Sequence, residues 1–221
     1  MAQKTGSFLK HWDGHIEELI KVAAKKPQAI EAKHRQIVEG ACRVFFKKGF
    51  HPTSTREIAE AAGMSMGQLY HYISSKDDVL FLIHNHMQNR WYQHLMDSKI
   101  EEIEGPSERL VLALRASIDF LLDNKDLIQF IYSESKYLNK QHLRVVLEMD
   151  DKNVVEYWRE LLRDAFQEQG VETDVDVAAN LITYIDVFLP LRGWNLKNRP
   201  ANELAEFLVD FIFKGLGLAR S

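Results

Sequence analysis

Side chains able to hydrogen-bond phosphate oxygens and base edges are concentrated between residues 54 and 76: Ser54, Thr55, Arg56, Ser65, Gln68, Tyr70, His71 and Lys76. Hydroxyl, guanidinium, amide and ammonium groups hold a nucleic-acid backbone, and a glutamine amide can pair bidentately with adenine. To act together they need two short helices joined by a tight turn. Ser54 stands three residues before Glu57, and Ser65 three before Gln68. In that pattern a hydroxyl satisfies an orphan amide while the third side chain reaches back to the cap. Between the two starts, Glu60-Ala61-Ala62-Gly63 reads as a small-residue helix end with a glycine for the turn. Such a unit places its second helix in a major groove.

The stretch from about residue 34 to 82 resembles the N-terminal DNA-binding domain of the TetR family of bacterial transcription regulators. Phe45, Gly49, Phe50, Thr53, Thr55, Ile58, Ala59, Ala62, Gly63, Ser65, Gly67, Leu69, Tyr70, Tyr72, Lys76 and Leu80 all fall in register. The resemblance implies an all-α fold, in which a three-helix N-terminal helix-turn-helix domain precedes a helical ligand-binding and dimerisation domain. It also implies a homodimer formed through the last two helices and, as in most members, a repressor released by a small ligand. Carried onto this chain, it gives Thr55 and Arg56 a grip on phosphate and lets Gly67 bring the recognition helix close to the duplex. Ser65, Met66 and Gln68 would face the groove, Tyr70 and His71 the backbone, and Lys76 would be a phosphate anchor. Met66 stands where a lysine or another polar residue is common in the family. It offers only apolar contact, for instance to a thymine methyl.

The organisation expected is a helical extension over 1–29, a helix-turn-helix domain over 30–76, and an effector-binding and dimerisation domain over 77–221. Phe8, Trp12, Ile16, Leu19, Ile20 and Ala23 recur at three- and four-residue steps, which predicts an amphipathic helix. It would pack against the body or serve as an added DNA-contacting or regulatory arm. Further helices are expected at about 30–48, 55–62, 66–72, 76–101, 106–122, 126–138, 140–169, 174–196 and 201–218, punctuated by Gly105-Pro106, Gly170 and Pro200.

With 221 residues, 46% of them apolar, the chain can bury a real core. Its net charge of −4 is unevenly spread. Residues 1–76 hold 12 Lys and Arg against 7 Asp and Glu, a charge of +5, whereas the remainder holds 16 against 25, or −9. A basic head on an acidic body orients the molecule toward phosphate. No apolar run reaches the ~18 residues of a membrane span, the first residues lack a signal-peptide core, and the single cysteine, Cys42, cannot close an intrachain disulfide. A cytoplasmic protein is expected. His11 with His15 and His84 with His86 lack further ligands at metal-site spacing. No cofactor motif or catalytic constellation stands out, so no metal, no cofactor and no enzyme activity are expected.

The run Ile131–Leu138, followed by Arg144, Val145, Leu147 and Glu148, is similar to effector domains of family members that sense acyl-CoA thioesters. That implies a long apolar effector with an anionic end met by Lys136, Lys140 or Arg144; a multidrug-type lipophilic effector is the alternative. Tyr132, Lys136, Arg144, Trp158, Phe188 and Arg192 are the candidate effector residues. Asp186, inside an apolar run, could orient a ligand's polar end, as could Arg192, or either could form an ion pair or a dimer contact. Leu204, Phe207, Leu208, Phe211 and Ile212 form one apolar stripe, widened by Val209 and Phe213. A stripe that wide must bury two faces, which fits a four-helix subunit interface. The function expected is a homodimeric repressor released from a palindromic double-stranded DNA operator by a small lipophilic or acyl-CoA-like effector, with no membrane partner. The alternatives are a ligand-dependent activator and a helical interaction or carrier protein without operator binding.

Overall fold

The computed structural model describes residues 27–220. The expected helix around Phe8–Ala23 lies outside the described residues. Every regular element among them is helical: α1 (Pro27–Lys48), α2 (Thr55–Ala61), α3 (Met66–Tyr70), α4 (Lys76–Asp97), α5 (Pro106–Asp123), α6 (Lys125–Glu134), α7 (Lys140–Met149), α8 (Glu156–Gln169), α9 (Val175–Asp186), α10 (Phe188–Arg192) and α11 (Ala201–Gly215). The residues form two compact units, one of residues up to 87 with 130–147, the other of residues 88–129 with 148 onward. Helices α4, α6 and α7 contribute residues to both.

In the first unit Ile37, Val38, Ala41 and Phe45 turn one face of α1 inward, where it meets Ile58, Ala59 and Ala62. Helices α1 and α2 approach so closely that a Cβ on Gly40 would lie 2.7 Å from the Ala62 backbone. The end of α2 is held from α1: Gln36 Nε2 donates to the Ala62 carbonyl (2.6 Å) and Arg43 Nη2 to that of Ala61 (2.5 Å). Gly63 then turns the chain with φ +64°, a conformation that L side chains rarely adopt. Asp78 closes the start of α4 by accepting from the amides of Ser74 and Ser75 (2.6 and 3.0 Å).

Residues 130–147 belong to this same unit, an association that no local pattern announced. Phe130 stacks on Phe45 (5.2 Å between centroids), Tyr137 on Phe50 (5.9 Å) and His142 on Phe81 (4.9 Å). His142 Nε2 also lies 3.5 Å from Asp78 Oδ1. Burial outweighs that carboxylate and lowers the imidazole pKa.

The second unit is a layered bundle in which α8 packs on α5 and α9, and α11 on α5. Leu110, Ala113, Leu114 and Ile118 of α5 meet Trp158, Leu162 and Ala165 of α8, Ala179 and Ile182 of α9, and Val209, Ile212 and Phe213 of α11 in its core. Two expected helices are interrupted. The 140–169 stretch carries a π-helical turn, Asp150–Val155. The 174–196 stretch breaks at Val187, because Pro190 has no amide proton for the Asp186 carbonyl. Helix α4 stops at Asp97, and Lys99 then turns with φ 54°, shorter than the expected end near residue 101.

Candidate nucleic-acid interface

Both expected capping boxes are present. Ser54 Oγ accepts from the Glu57 amide (3.3 Å) while Glu57 Oε2 accepts from that of Ser54 (2.9 Å). Its lysine partner Lys48, on α1, and the two Ser54 hydrogen bonds hold the Glu57 carboxyl at about 2. In the second box Ser65 Oγ accepts from the Gln68 amide (3.2 Å) and Gln68 Oε1 from the Ser65 amide (2.9 Å). Seven- and five-residue helices are too short to stand alone in water. The caps, with Ile58 and Leu69 fully buried, fix them.

This geometry changes what Gln68 can do. Bidentate pairing with adenine needs the amide oxygen and nitrogen together, and here the oxygen is engaged by the cap. Gln68 thus presents Nε2 alone, a donor suited to acceptors such as guanine O6 or N7 or thymine O4. Tyr70, half exposed at 49%, brings its hydroxyl 3.0 Å from Thr55 Oγ1. The two helices therefore meet at the surface through a hydroxyl pair. Ser65, Gly67, Gln68 and His71 are exposed and Met66 and Thr55 half-buried. A Cβ on Gly67 would meet nothing nearer than Ser65 Oγ at 4.0 Å, which leaves that side of α3 open to close approach. Arg56 pairs with Glu60 (3.0 Å); both side chains are exposed, so water or a phosphate can readily take the guanidinium.

Lys76 differs from its expected use. Its Nζ donates to the carbonyls of Phe50 (2.8 Å), His51 (3.1 Å) and Thr53 (3.0 Å) and lies 4.4 Å over the Phe50 ring. All three ammonium protons are committed to the α1–α2 loop, and burial lowers the pKa of the group. To hold a phosphate it would have to release a carbonyl.

Of the six candidate effector residues, Tyr132, Lys136 and Arg144 belong to the first unit and Trp158, Phe188 and Arg192 to the second. Trp158 is fully buried; the other five are exposed. Lys136 lies over the Tyr137 ring and Arg192 over that of Trp194. Asp186 pairs with Ser117 rather than Arg192: Ser117 Oγ donates to Asp186 Oδ2 (2.5 Å) and accepts from Trp91 Nε1 (2.8 Å). Ser117 was missed in the sequence, although a hydroxyl inside the apolar run of α5 was the available signal.

The apolar stripe of α11 divides. Leu208, Val209, Ile212 and Phe213 enter the core of the unit, while Phe207 and Phe211 remain 62% and 57% exposed and stack on each other. Helix α9 and the segment after it likewise turn Val177, Leu181, Tyr184 and Phe188 outward. Among the described residues no group of three His, Cys, Asp or Glu is placed to hold a metal ion. No helix among them is long and apolar enough to cross a membrane.

The profile of bacterial regulatory proteins of the tetR family matches residues 37–83, and that of the tetracyclin repressor-like C-terminal domain matches 104–216. The HTH-type transcriptional regulator HbdR of Aromatoleum sp. (strain CIB) is 30% identical over 121 residues, 55% of this chain and 52% of that protein. The chain thus spans about half the length of that relative. The fatty acid metabolism regulator protein of Bacillus subtilis (strain 168) is 23% identical, over 66% of this chain and 74% of its own. Among solved structures, AibR in complex with isovaleryl coenzyme A and operator DNA superposes with a TM-score of 0.65 at 26% identity, covering 82% of this chain and 98% of AibR. With a capped helix-turn-helix at its head and a C-terminal profile across its helical body, the chain belongs to the TetR family of bacterial transcription regulators.

Proposed function

We propose that the protein is a cytoplasmic homodimeric repressor that binds a palindromic operator through α3 and leaves it when a small acyl-thioester or similar lipophilic effector binds. The observation that carries this reading is the outward apolar surface of α9 and α11. Val177, Leu181, Tyr184, Phe207 and Phe211 are each more than half exposed, and a second copy would remove that area from water. One helix of this kind reads only a few base pairs, so two-fold pairing supplies the second half-site. Residues 30–76 would read DNA, and residues 77–221 would serve the effector and the dimer. The candidate contacts are Thr55, Arg56, Ser65, Met66, Gly67, Gln68, Tyr70 and His71, with Lys76 bracing the loop behind them. The effector class is supported by the similarity to AibR, whose structure contains isovaleryl coenzyme A, and to the fatty acid regulator.

Release needs the effector to favour a state in which the two recognition helices no longer match consecutive grooves. A coupling of ~1–3 kcal/mol changes operator affinity ~5–150-fold. The test is fluorescence anisotropy of the full chain on the DNA upstream of its own gene, with salt, competitor DNA and a series of acyl-CoA thioesters titrated in turn. Saturable, competitor-resistant binding with a steep salt slope, reversed by one of the thioesters, is the expected result. Affinity no tighter than for random DNA would refute operator binding at that site. Enhancement by effector would make the protein an activator.

A further inference from the structure

Inside the second unit, five polar atoms are buried without a hydrogen-bond partner among the described residues: Gln88 Oε1, Arg115 Nε, which is ion-paired with Glu206, and three more on Tyr157 (Oη), Trp158 (Nε1) and Asp186 (Oδ1). The last three side chains all connect to Trp91. Its ring lies 5.6 Å from that of Tyr157 and 6.0 Å from that of Trp158, and its Nε1 reaches Asp186 through Ser117. Native cores rarely leave one such group unpaired, and each orphan costs free energy. The chain reaches Tyr157 and Trp158 directly from the π-helical turn Asp150–Val155, a rare element that is frequent at functional sites. Arg159 holds that turn in place by pairing with Asp151 (2.9 Å), Glu156 (2.9 Å) and Asp176 (2.7 Å).

The chemistry of the three orphans around Trp91 selects what can satisfy them. A phenol O–H and an indole N–H are donors. Burial raises the Tyr157 pKa, so the phenol keeps its proton. Burial also pushes Asp186 up to about 8 against the opposing Ser117 hydrogen bond, so near neutrality most of this carboxyl is protonated. Oδ2 accepts from Ser117, which leaves Oδ1 to carry the proton as a third donor. A set dominated by donors requires an acceptor. A free carboxylate would enter a site with no cation paired to Asp186 and would bear the full cost of desolvation. A lipophilic cation would leave the two ring donors unmet.

Resting on the reading of the chain as an effector-released regulator, we infer that Tyr157, Trp158 and Asp186 bind the carbonyl oxygen of an uncharged acyl group, as in a thioester. The acyl chain then lies in the apolar core around Trp91. Because Trp158 is fully buried and Tyr157 and Asp186 are nearly so, occupancy parts the helices that enclose them, which links binding to a change of shape.

The test is calorimetric titration of the full-length protein at pH 7 with a straight-chain acyl-CoA, the matching S-alkyl-CoA thioether lacking the carbonyl, the free fatty acid and a lipophilic quaternary ammonium. The acyl-CoA is expected to bind at least ~10-fold more tightly than the thioether, the contribution of about one well-made hydrogen bond. Tyr157→Phe removes only an unpartnered hydroxyl and leaves the other two donors, so it should keep the wild-type circular dichroism and Tm while lowering that ratio several-fold. Equal binding of thioester and thioether, or an unchanged ratio in Tyr157→Phe, overturns the inference and leaves the regulator reading intact. Tighter binding of the fatty acid or the cation does the same. Failure of all four compounds, with no change in DNA affinity, removes the effector reading itself.

Discussion

Gln68 Oε1 lies 2.9 Å from the backbone nitrogen of Ser65, so the side chain proposed to read a base also closes the N-terminus of its own helix. Capping and recognition can be separated by Gln68→Glu. A glutamate oxygen accepts the Ser65 amide as well as the glutamine does, but it turns a carboxylate instead of an amide donor toward the duplex. The variant should unfold within a few degrees of wild type, as an intact cap predicts. Operator affinity should fall more than ~10-fold, since a misplaced like charge costs on the order of kcal/mol. Parallel thermal melts and anisotropy titrations give both numbers. Undiminished affinity would mean that Gln68 does not face the DNA.

Lys76 should act on stability rather than on the ionic part of binding. Lys76→Met removes an ammonium that serves three carbonyls, and hydrogen bonds to charged groups are worth about 1.5–3 kcal/mol. A urea denaturation should register a loss of that order. The slope of log affinity against log salt should remain that of wild type. A slope shallower by about one would instead identify Lys76 as a phosphate ligand.

Stability should depend on pH in two opposite ways. Burial brings His84 down to about 4 and also lowers His34 and His142. Such a base is protonated first in the unfolded chain. Its contribution is complete above about pH 6.5 and lost as the pH falls toward 4, by on the order of 2–3 kcal/mol for His84. Asp186, raised to about 8, has the reverse sign: its contribution is complete below about pH 4 and lost as the pH rises to about 8. The trends oppose each other in acid, and Asp186 dominates from about pH 6.5 to 8. Denaturation midpoints should therefore decline over that interval in wild type and hold steady in Asp186→Asn. A flat wild-type profile there would show that the carboxyl is already ionised.

The outward faces of α9 and α11 make a third separation possible. Leu181 and Phe211 are 51% and 57% exposed, so Leu181→Arg with Phe211→Arg leaves the core of each subunit untouched. Sedimentation should find a folded monomer where wild type is a dimer. Operator affinity should drop by ~100-fold or more, because each half-site is then bound alone. A double variant that stays dimeric would place the subunit interface elsewhere.

The head was legible in the sequence because its determinants are local. Ser54 with Glu57 and Ser65 with Gln68 cap their helices across three residues, and Gly63 supplies its left-handed turn by itself; such features survive without knowledge of what packs where. Helix boundaries in the body followed Pro106, Gly170 and Pro200 for the same reason. Tertiary structure decided the uses of individual side chains. Lys76 reads as a surface cation until the loop carbonyls of Phe50, His51 and Thr53 are brought to it. Asp186 is pushed toward its protonated form only because packing buries it, a cost that the Ser117 hydrogen bond opposes without cancelling. The outward and inward halves of the α11 stripe separate only once α5 has covered one of them. Periodicity specifies that a residue is apolar or polar and on which side of its own helix it lies. Which distant group it meets, and hence its charge state and its chemistry, is set by packing between segments far apart in the chain.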